Sequence, residues 1–235
     1  MNTLDLRAVI AGGWRAYRNQ WVVLSGLTLV FMIINMSSSI GDRFFDGLEI
    51  VSFVILSLIF SIWTLIVGVK TAIVAADGQP VSFNQLITEM SLFRFVQVVG
   101  AYFLFGFIFV IIAGLSMLLF ILMINSGLIK DTLDNFLLMM FLFFVGFIFV
   151  YTAVISQLVL IYYILLDKNA DLITALRENF VLTKGVKWPL LLLLWYLIAI
   201  NIIGTLFFGI GLLVSMPLTL VTLAVVYRRL SFKVI

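Results

Sequence analysis

Cysteine and histidine are both missing from the 235 residues, and proline occurs only three times. Without cysteine there is no disulfide framework and no thiolate metal site. Without histidine as well, the commonest general base and the usual zinc ligands are gone. Charge is scarce too, at 11% of the chain, against roughly 25% in globular domains. What fills the chain is apolar: 64% hydrophobic residues, 23 phenylalanines and a mean hydropathy of +1.28. Such a composition excludes an ordinary soluble domain and describes an integral membrane protein. The net charge of +3 comes from bases dispersed among acids, so nucleic acid is not an expected partner.

A helix needs about 20 apolar residues to cross the roughly 30 Å hydrocarbon core, and the intervals between charges supply six such spans. The first runs from Trp21 to about Ile40, the second from about Ile50 to Val69, the third from Val96 to about Ile124 and the fourth from about Phe136 to Leu166. From Trp188 to Tyr227 no charge occurs, which leaves room for two crossings and almost no loop. The reversal is expected at Phe208, Gly209, Ile210 and Gly211, because glycine accepts the backbone angles of a tight turn. The first span exceeds the roughly 7–15 apolar residues of a signal peptide and is read as retained.

Lysine and arginine set the orientation, since basic loops stay on the cytoplasmic side. All but Arg43 and Lys130 fall in the amino-terminal segment, the loops after spans two and four, or the carboxyl-terminal tail. Both termini are therefore expected in the cytoplasm. Lys70, at the end of span two, is expected to extend its ammonium along its flexible stem to that interface.

The charged stretch "ALRENFVLTKGVKW", residues 175–188, has a counterpart. A shift of 90 residues sets Asp77 on Asp167, Gln79 on Asn169, Phe83 on Ile173, Leu86 on Leu176, Met90 on Phe180 and Leu92 on Leu182. In the earlier copy Ser82 and Gln85 fit a capping box, and Phe83, Leu86, Ile87, Met90 and Phe93 recur at helical steps. In the later copy Asp171 is the expected cap and Leu172, Ile173, Leu176, Phe180 and Thr183 the expected buried stripe, with Arg177 and Glu178 facing water. Lys184 and Gly185 suit its end. A third copy opens the chain, where Leu6, Ile10, Trp14, Tyr17 and Trp21 lie opposite Arg15 and Arg18. The expected fold is all-α: a polytopic bundle of six transmembrane helices with three cytoplasmic interfacial amphipathic helices. It forms one membrane domain, a threefold repeat of one amphipathic helix and two spans over about 1–76, 77–166 and 167–230. Parallel repeats imply an axis along the membrane normal.

This organisation, with "ALRENFVLTKGVKW" followed by "GIGLLVSMPLTLVTLAVVYRRL", resembles a group of bacterial six-span membrane proteins. The group includes the YciC-like proteins and the membrane domain attached to some glycerophosphodiester phosphodiesterases. The specific likeness is confined to about residues 167–230. The resemblance implies a six-span topology in a bacterial cytoplasmic (inner) membrane and brings no catalytic residues, because the phosphodiesterase chemistry of that group resides in a separate soluble domain.

The residues offer little reactive chemistry. Every carboxylate lies outside the expected spans, so the proton-relay acid of many pumps is missing. Asp42, Asp46 and Glu49, with Asp131 and Asp134, are the nearest approach to an oxygen-ligand cation site; they read more simply as outer-loop acids left where bases are excluded. Asn35, Gln157 and Asn201 sit within spans and are candidates for an intramembrane polar path. The alternative is hydrogen bonding between neighbouring helices, at about 0.6–2 kcal/mol a pair.

These features point first to a non-enzymatic membrane protein acting through partner proteins or lipids, with no cofactor or metal. Arg177, Glu178 and Lys184 mark its candidate cytoplasmic interaction face. Membrane lipids are its expected partners, with a membrane protein or a second copy of the chain as further candidates. The alternative is a transporter or channel for a lipid-like or hydrophobic solute that lacks its own ion-coupling residue. An intramembrane enzyme working through the outer acids is a third reading.

Overall fold

The structure, a computed structural model, describes residues 4–41, 48–81, 91–126, 133–207 and 209–232; for 34–41, 48–50 and 133–136 it describes the backbone alone. The described chain is helical. Helix α1 spans Leu6–Asn19, α2 Trp21–Gly41, α3 Leu48–Ala76, α4 Leu92–Asn125, α5 Leu133–Ser156, α6 Ile161–Lys168, α7 Leu172–Thr183, α8 Lys187–Leu206 and α9 Leu212–Ser231. Short polar side chains start three of them: Asp5 accepts from the Ala8 amide, Ser91 from Arg94 and Asp171 from Thr174, at 3.2, 3.3 and 3.2 Å. Each satisfies an amide that has no partner inside its helix.

Five segments among the described residues are long and apolar enough to cross a membrane: Val51–Ala76, Leu92–Asn125, Leu137–Lys168, Lys187–Leu206 and Leu212–Ser231. Trp21–Ile33 forms a shorter apolar stretch within α2. The arrangement inverts that of a soluble protein. Helix α4 is the most apolar segment and buries only Val98 and Ala101. Helix α9 is the least apolar of the five, yet it buries every residue from Val221 to Tyr227. Apolar surface turned outward is stable only where the surroundings are themselves apolar, as in lipid. Helix α9 is thus the centre of the bundle, in contact with α1, α2, α3 and α8, while α4 and α5 form an outlying pair joined by aromatic contacts such as Phe109 with Phe147 and Tyr151.

Glycine permits two close approaches. A Cβ on Gly13 would lie 2.3 Å from Thr222 Oγ1, so α1 rests directly on α9 there. A Cβ on Gly211 would lie 2.6 Å from Gly204 Cα, which seats α8 against the start of α9. The expected reversal at 208–211 is found for Gly209, Ile210 and Gly211, with Gly209 at φ +76°; Phe208 lies outside the described residues.

Several expectations are corrected. Span four is not one helix, since α5 stops at Ser156, residues 157–160 form turns and α6 resumes at Ile161. Lys70 is buried at 7% exposure inside α3, which continues to Ala76. On α7 the buried residues are Ala175, Asn179, Leu182 and Thr183, with Leu172 and Leu176 partly covered, whereas Ile173 and Phe180 are exposed. On α1, for which no buried stripe was expected, the residues covered by protein are Val9, Gly13 and Tyr17; Trp14 is exposed, as is Trp21 at the start of α2. On both helices small or polar residues, Gly13 on α1 and Ala175, Asn179 and Thr183 on α7, form part of the covered face, while Trp14, Ile173 and Phe180 face outward. The earlier amphipathic copy at 82–90 lies outside the described residues.

Candidate functional site

Three span ends meet at one guanidinium. Asp77 follows α3 directly, Asp167 lies in the last turn of α6, and Arg228 is in the last turn of α9. Arg228 donates through Nε to Asp77 Oδ1 at 2.7 Å and through Nη2 to Asp77 Oδ2 at 2.6 Å, while Nη1 donates to Asp167 Oδ2 at 2.7 Å. The rigid fork of arginine suits such a two-point grip on a carboxylate. The Tyr227 hydroxyl donates to the same Asp167 oxygen at 2.7 Å. Its ring lies 6.1 Å from that of Tyr163, whose hydroxyl donates to the Leu220 carbonyl at 2.8 Å.

Around this lock the turns are tied by further side-chain hydrogen bonds, most of them to backbone. Gln20, between α1 and α2, donates to the Gln79 carbonyl and accepts from the Val81 amide at 3.1 Å. Arg94, at the start of α4, donates to Asn169 Oδ1, and Gln97 accepts from the Leu172 amide at 2.8 Å. Arg229 donates to the Ala8 carbonyl at 2.9 Å. Asn169 adopts φ 53°, a left-handed geometry that asparagine tolerates better than most residues.

At the break in span four, Asn179 is wholly buried and its Nδ2 donates to the carbonyl of Gln157. The turns at 157–160 free that carbonyl from its helix partner, and a buried carbonyl needs one. Helix α7 is therefore held under the broken span by the polar residue that the apolar stripe had not included.

Of the expected cytoplasmic face, Arg177 and Lys184 are exposed and Glu178 is half-buried in an ion pair with Lys168. Ile173, Phe180, Val181 and Trp188 are exposed beside them. Asp171 is held below the ordinary carboxylate range by hydrogen bonds from the Thr174 side chain and amide. The charged form is the better acceptor at this cap.

Of the expected polar path, Asn201 and Gln157 do not line one cavity. Asn201 lines a cavity of about 290 Å³ between α2, α3, α8 and α9. Gln157 belongs to the helix break and is not part of that lining. The side chain of Asn35 lies outside the described residues, as do those of Asp42, Asp46, Glu49, Asp131 and Asp134. Among the described residues no group of carboxylates is placed to hold a metal ion.

Comparison of the chain with models of known protein families, with curated proteins and with solved structures finds no match in any of the three. The site therefore rests on its own geometry. Sequence reasoning missed the joint role of Asp77, Asp167 and Arg228, although the 90-residue shift had already set the two aspartates on one another. Asn179 gave a weaker signal: a polar residue between two apolar turns of α7.

Proposed function

We propose that this protein is a non-enzymatic, six-span component of a bacterial cytoplasmic membrane that works through partner proteins or lipids at its cytoplasmic face. One observation carries the reading: exposed Ile173, Phe180 and Val181 on α7 lie with exposed Arg177, with Lys184 at the end of that helix and with Trp188 at the start of α8, and α7 is pinned to the bundle. Apolar side chains flanked by cations match the boundary between acyl chains and anionic headgroups. The apolar stretch of α2 supports a sixth crossing, and the positions of the basic residues support cytoplasmic termini.

The threefold repeat has support of the same kind. Gln20 and Arg94 each immediately precede the aromatic residue that opens a span, and they reach residues 79 and 169, which the 90-residue shift makes equivalent. The likeness to the YciC-like group points the same way.

Affinity purification from native membranes tests the reading, with the wild type compared against Arg177→Glu/Lys184→Glu. A protein or lipid retained by the wild type and lost from the variant is expected. Identical inventories, or none above background, would sink the proposal. For topology, a membrane-impermeant maleimide on intact cells should label Lys130→Cys and spare Lys184→Cys.

A second reading, passage of a hydrophobic solute, is supported by the cavity at Asn201. Cysteines placed at Thr28, Thr64 and Asn201 should react with small aqueous thiol reagents if that path is hydrated, and uniform silence would count against it.

A further inference from the structure

We infer that a cleft between α1 and the ends of α3 and α9 binds a phosphate group through Arg15 and Arg229. The phosphate can belong to an anionic membrane lipid or to a soluble ester, and its surroundings favour the lipid. No residue of α7 lines the cleft, so the inference goes beyond the proposed function and does not need the face on α7.

The cleft measures about 390 Å³, within the roughly 300–1,000 Å³ of small-molecule sites. Gly12, Arg15 and Asn19 line it from α1, Arg228 and Arg229 from α9, and Gly78 from the turn after α3. Every charged side chain in that lining is an arginine. Arg228 is neutralised by Asp77 and Asp167. Arg15 and Arg229 pair with no carboxylate among the described residues.

Both of these guanidiniums are held by the backbone of α1. Arg15 Nε donates to the Ala11 carbonyl at 3.3 Å, and Arg229 Nη2 donates to the Ala8 carbonyl at 2.9 Å. The two carbonyls are about 4.5 Å apart along the helix axis, and positions 8, 11, 12 and 15 share one face of a helix. A Cβ at Gly12 would lie 3.8 Å from Arg229 Nη2, so glycine leaves open a guanidinium that a longer side chain would cover. Each arginine spends one N–H on these carbonyls and keeps its other donors for a ligand. Two positioned forks on one side of a helix suit a tetrahedral phosphate, which can accept from both.

The location favours a lipid as the source. The apolar segments of α3 and α9 end beside the cleft, at Ala76 and Ser231, the level at which hydrocarbon gives way to headgroups. An adjoining cleft of about 500 Å³ shares Asn19 and Gly78 and adds Arg18, Trp21 and Val22. Trp21 and Val22 are 57% and 63% exposed at the start of the apolar stretch of α2, so acyl chains have apolar surface next to the arginines. Basic pockets at the ends of membrane helices take anionic lipid headgroups in this way.

The test titrates the delipidated full chain in dodecyl maltoside with dioleoylphosphatidylglycerol, read by native mass spectrometry. Dioleoylglycerol and oleate serve as lipids without phosphate, and glycerol 3-phosphate as a soluble competitor. Phosphatidylglycerol should bind several-fold more tightly than either phosphate-free lipid. Arg15→Gln/Arg229→Gln should lower its affinity by about tenfold or more, because charge-assisted hydrogen bonds are lost. Arg177→Gln/Lys184→Gln, which removes the same charge from the region of α7, should leave that affinity unchanged. Arg15→Gln alone, at an exposed residue bonded only within its own helix, should fold as the wild type does and lose part of the affinity. Competition by glycerol 3-phosphate at the lipid's own concentration would support the cleft and assign its phosphate to a soluble ester; competition by the lipid alone would assign it to the membrane. Equal binding of oleate or dioleoylglycerol, or unchanged affinity in both Arg15 variants, would overturn the inference. Loss of lipid in the Arg177/Lys184 variant alone would also overturn it, while leaving the face on α7 standing.

Discussion

Arg228 grips Asp77 with two parallel hydrogen bonds of 2.6 and 2.7 Å across a sequence separation of 151 residues. The same guanidinium reaches Asp167, so the ends of α3, α6 and α9 share one cation. Spatially it gathers three segments that elsewhere meet through packed side chains and the Tyr163–Leu220 hydrogen bond.

Loss of this cation should destabilise the bundle. Arg228→Ala leaves two carboxylates facing each other at side-chain exposures of 31% and 21%. The expected cost is about 2 kcal/mol, below the range of about 3–5 kcal/mol for fully buried pairs because water still reaches these groups. Arg228→Lys should recover little, since an ammonium has no planar fork. Thermal unfolding in detergent measures both, and a double-mutant cycle with Asp77→Ala should show strong non-additivity. Additive effects would mean that the pair does not act as one.

Asn179→Leu should expose the break in span four. The carbonyl of Gln157 would lose its donor, at a cost of about 1–3 kcal/mol for a buried unsatisfied group. Amide exchange should rise selectively across 157–161 and across α7. Unchanged exchange there would show that the break holds without α7.

Gly13→Val should lift α1 from α9, because even a Cβ meets Thr222 Oγ1 at 2.3 Å and Thr222 Cα at 3.0 Å. The chain has no native cysteine, so crosslinking of Gly12→Cys with Val225→Cys reports the packing directly; a Cβ at position 12 lies 3.3 Å from Val225 Cγ1. Efficient crosslinking is expected in the parent and little in the valine variant. Adding Thr222→Ala should restore part of it, since the hydroxyl clash is removed while the crowding against the backbone of α9 persists.

Acidification should fray α7 from its start. The Asp171 carboxyl is held below its usual value in the folded chain, so its contribution is present above the unfolded carboxylate pKa of about 3.9 and is lost as pH falls through the lower folded value. Protection of the Thr174 and Ala175 amides, taken relative to intrinsic exchange at the same pH, should fall through that acid window in the wild type. In Asp171→Ala this protection should be low at neutral pH already and change little with acid.

Much of the fold was legible because water and lipid sort residues so sharply. The reversal at Gly209–Gly211, the cap at Asp171 and the start of α8 all follow from local chemistry, and α8 begins at Lys187, one residue from the expected Trp188. The faces of α1 and α7 were less legible. An apolar stripe signals burial but does not distinguish protein from lipid, so Ile173 and Phe180, expected in the buried stripe of α7, are exposed.

The candidate sites divide along the same line. That Asn201 is a polar residue within an apolar run is evident in the sequence; that its amide is fixed by Thr219 and Leu197 is not, because Thr219 lies on another helix. Asp77, Asp167 and Arg228 each look like ordinary charges at span ends until three helices converge.

By itself the sequence determined the membrane class, the five apolar segments long enough to cross and the sites of the caps and the tight turn, all of which depend on neighbours within a few residues or on transfer of a segment into lipid. Only the tertiary structure decided which helix is central, where span four breaks and which charges pair. Those outcomes depend on surfaces that must fit, such as Gly13 on Thr222, and on buried donors that must find acceptors far along the chain, such as Asn179 at Gln157.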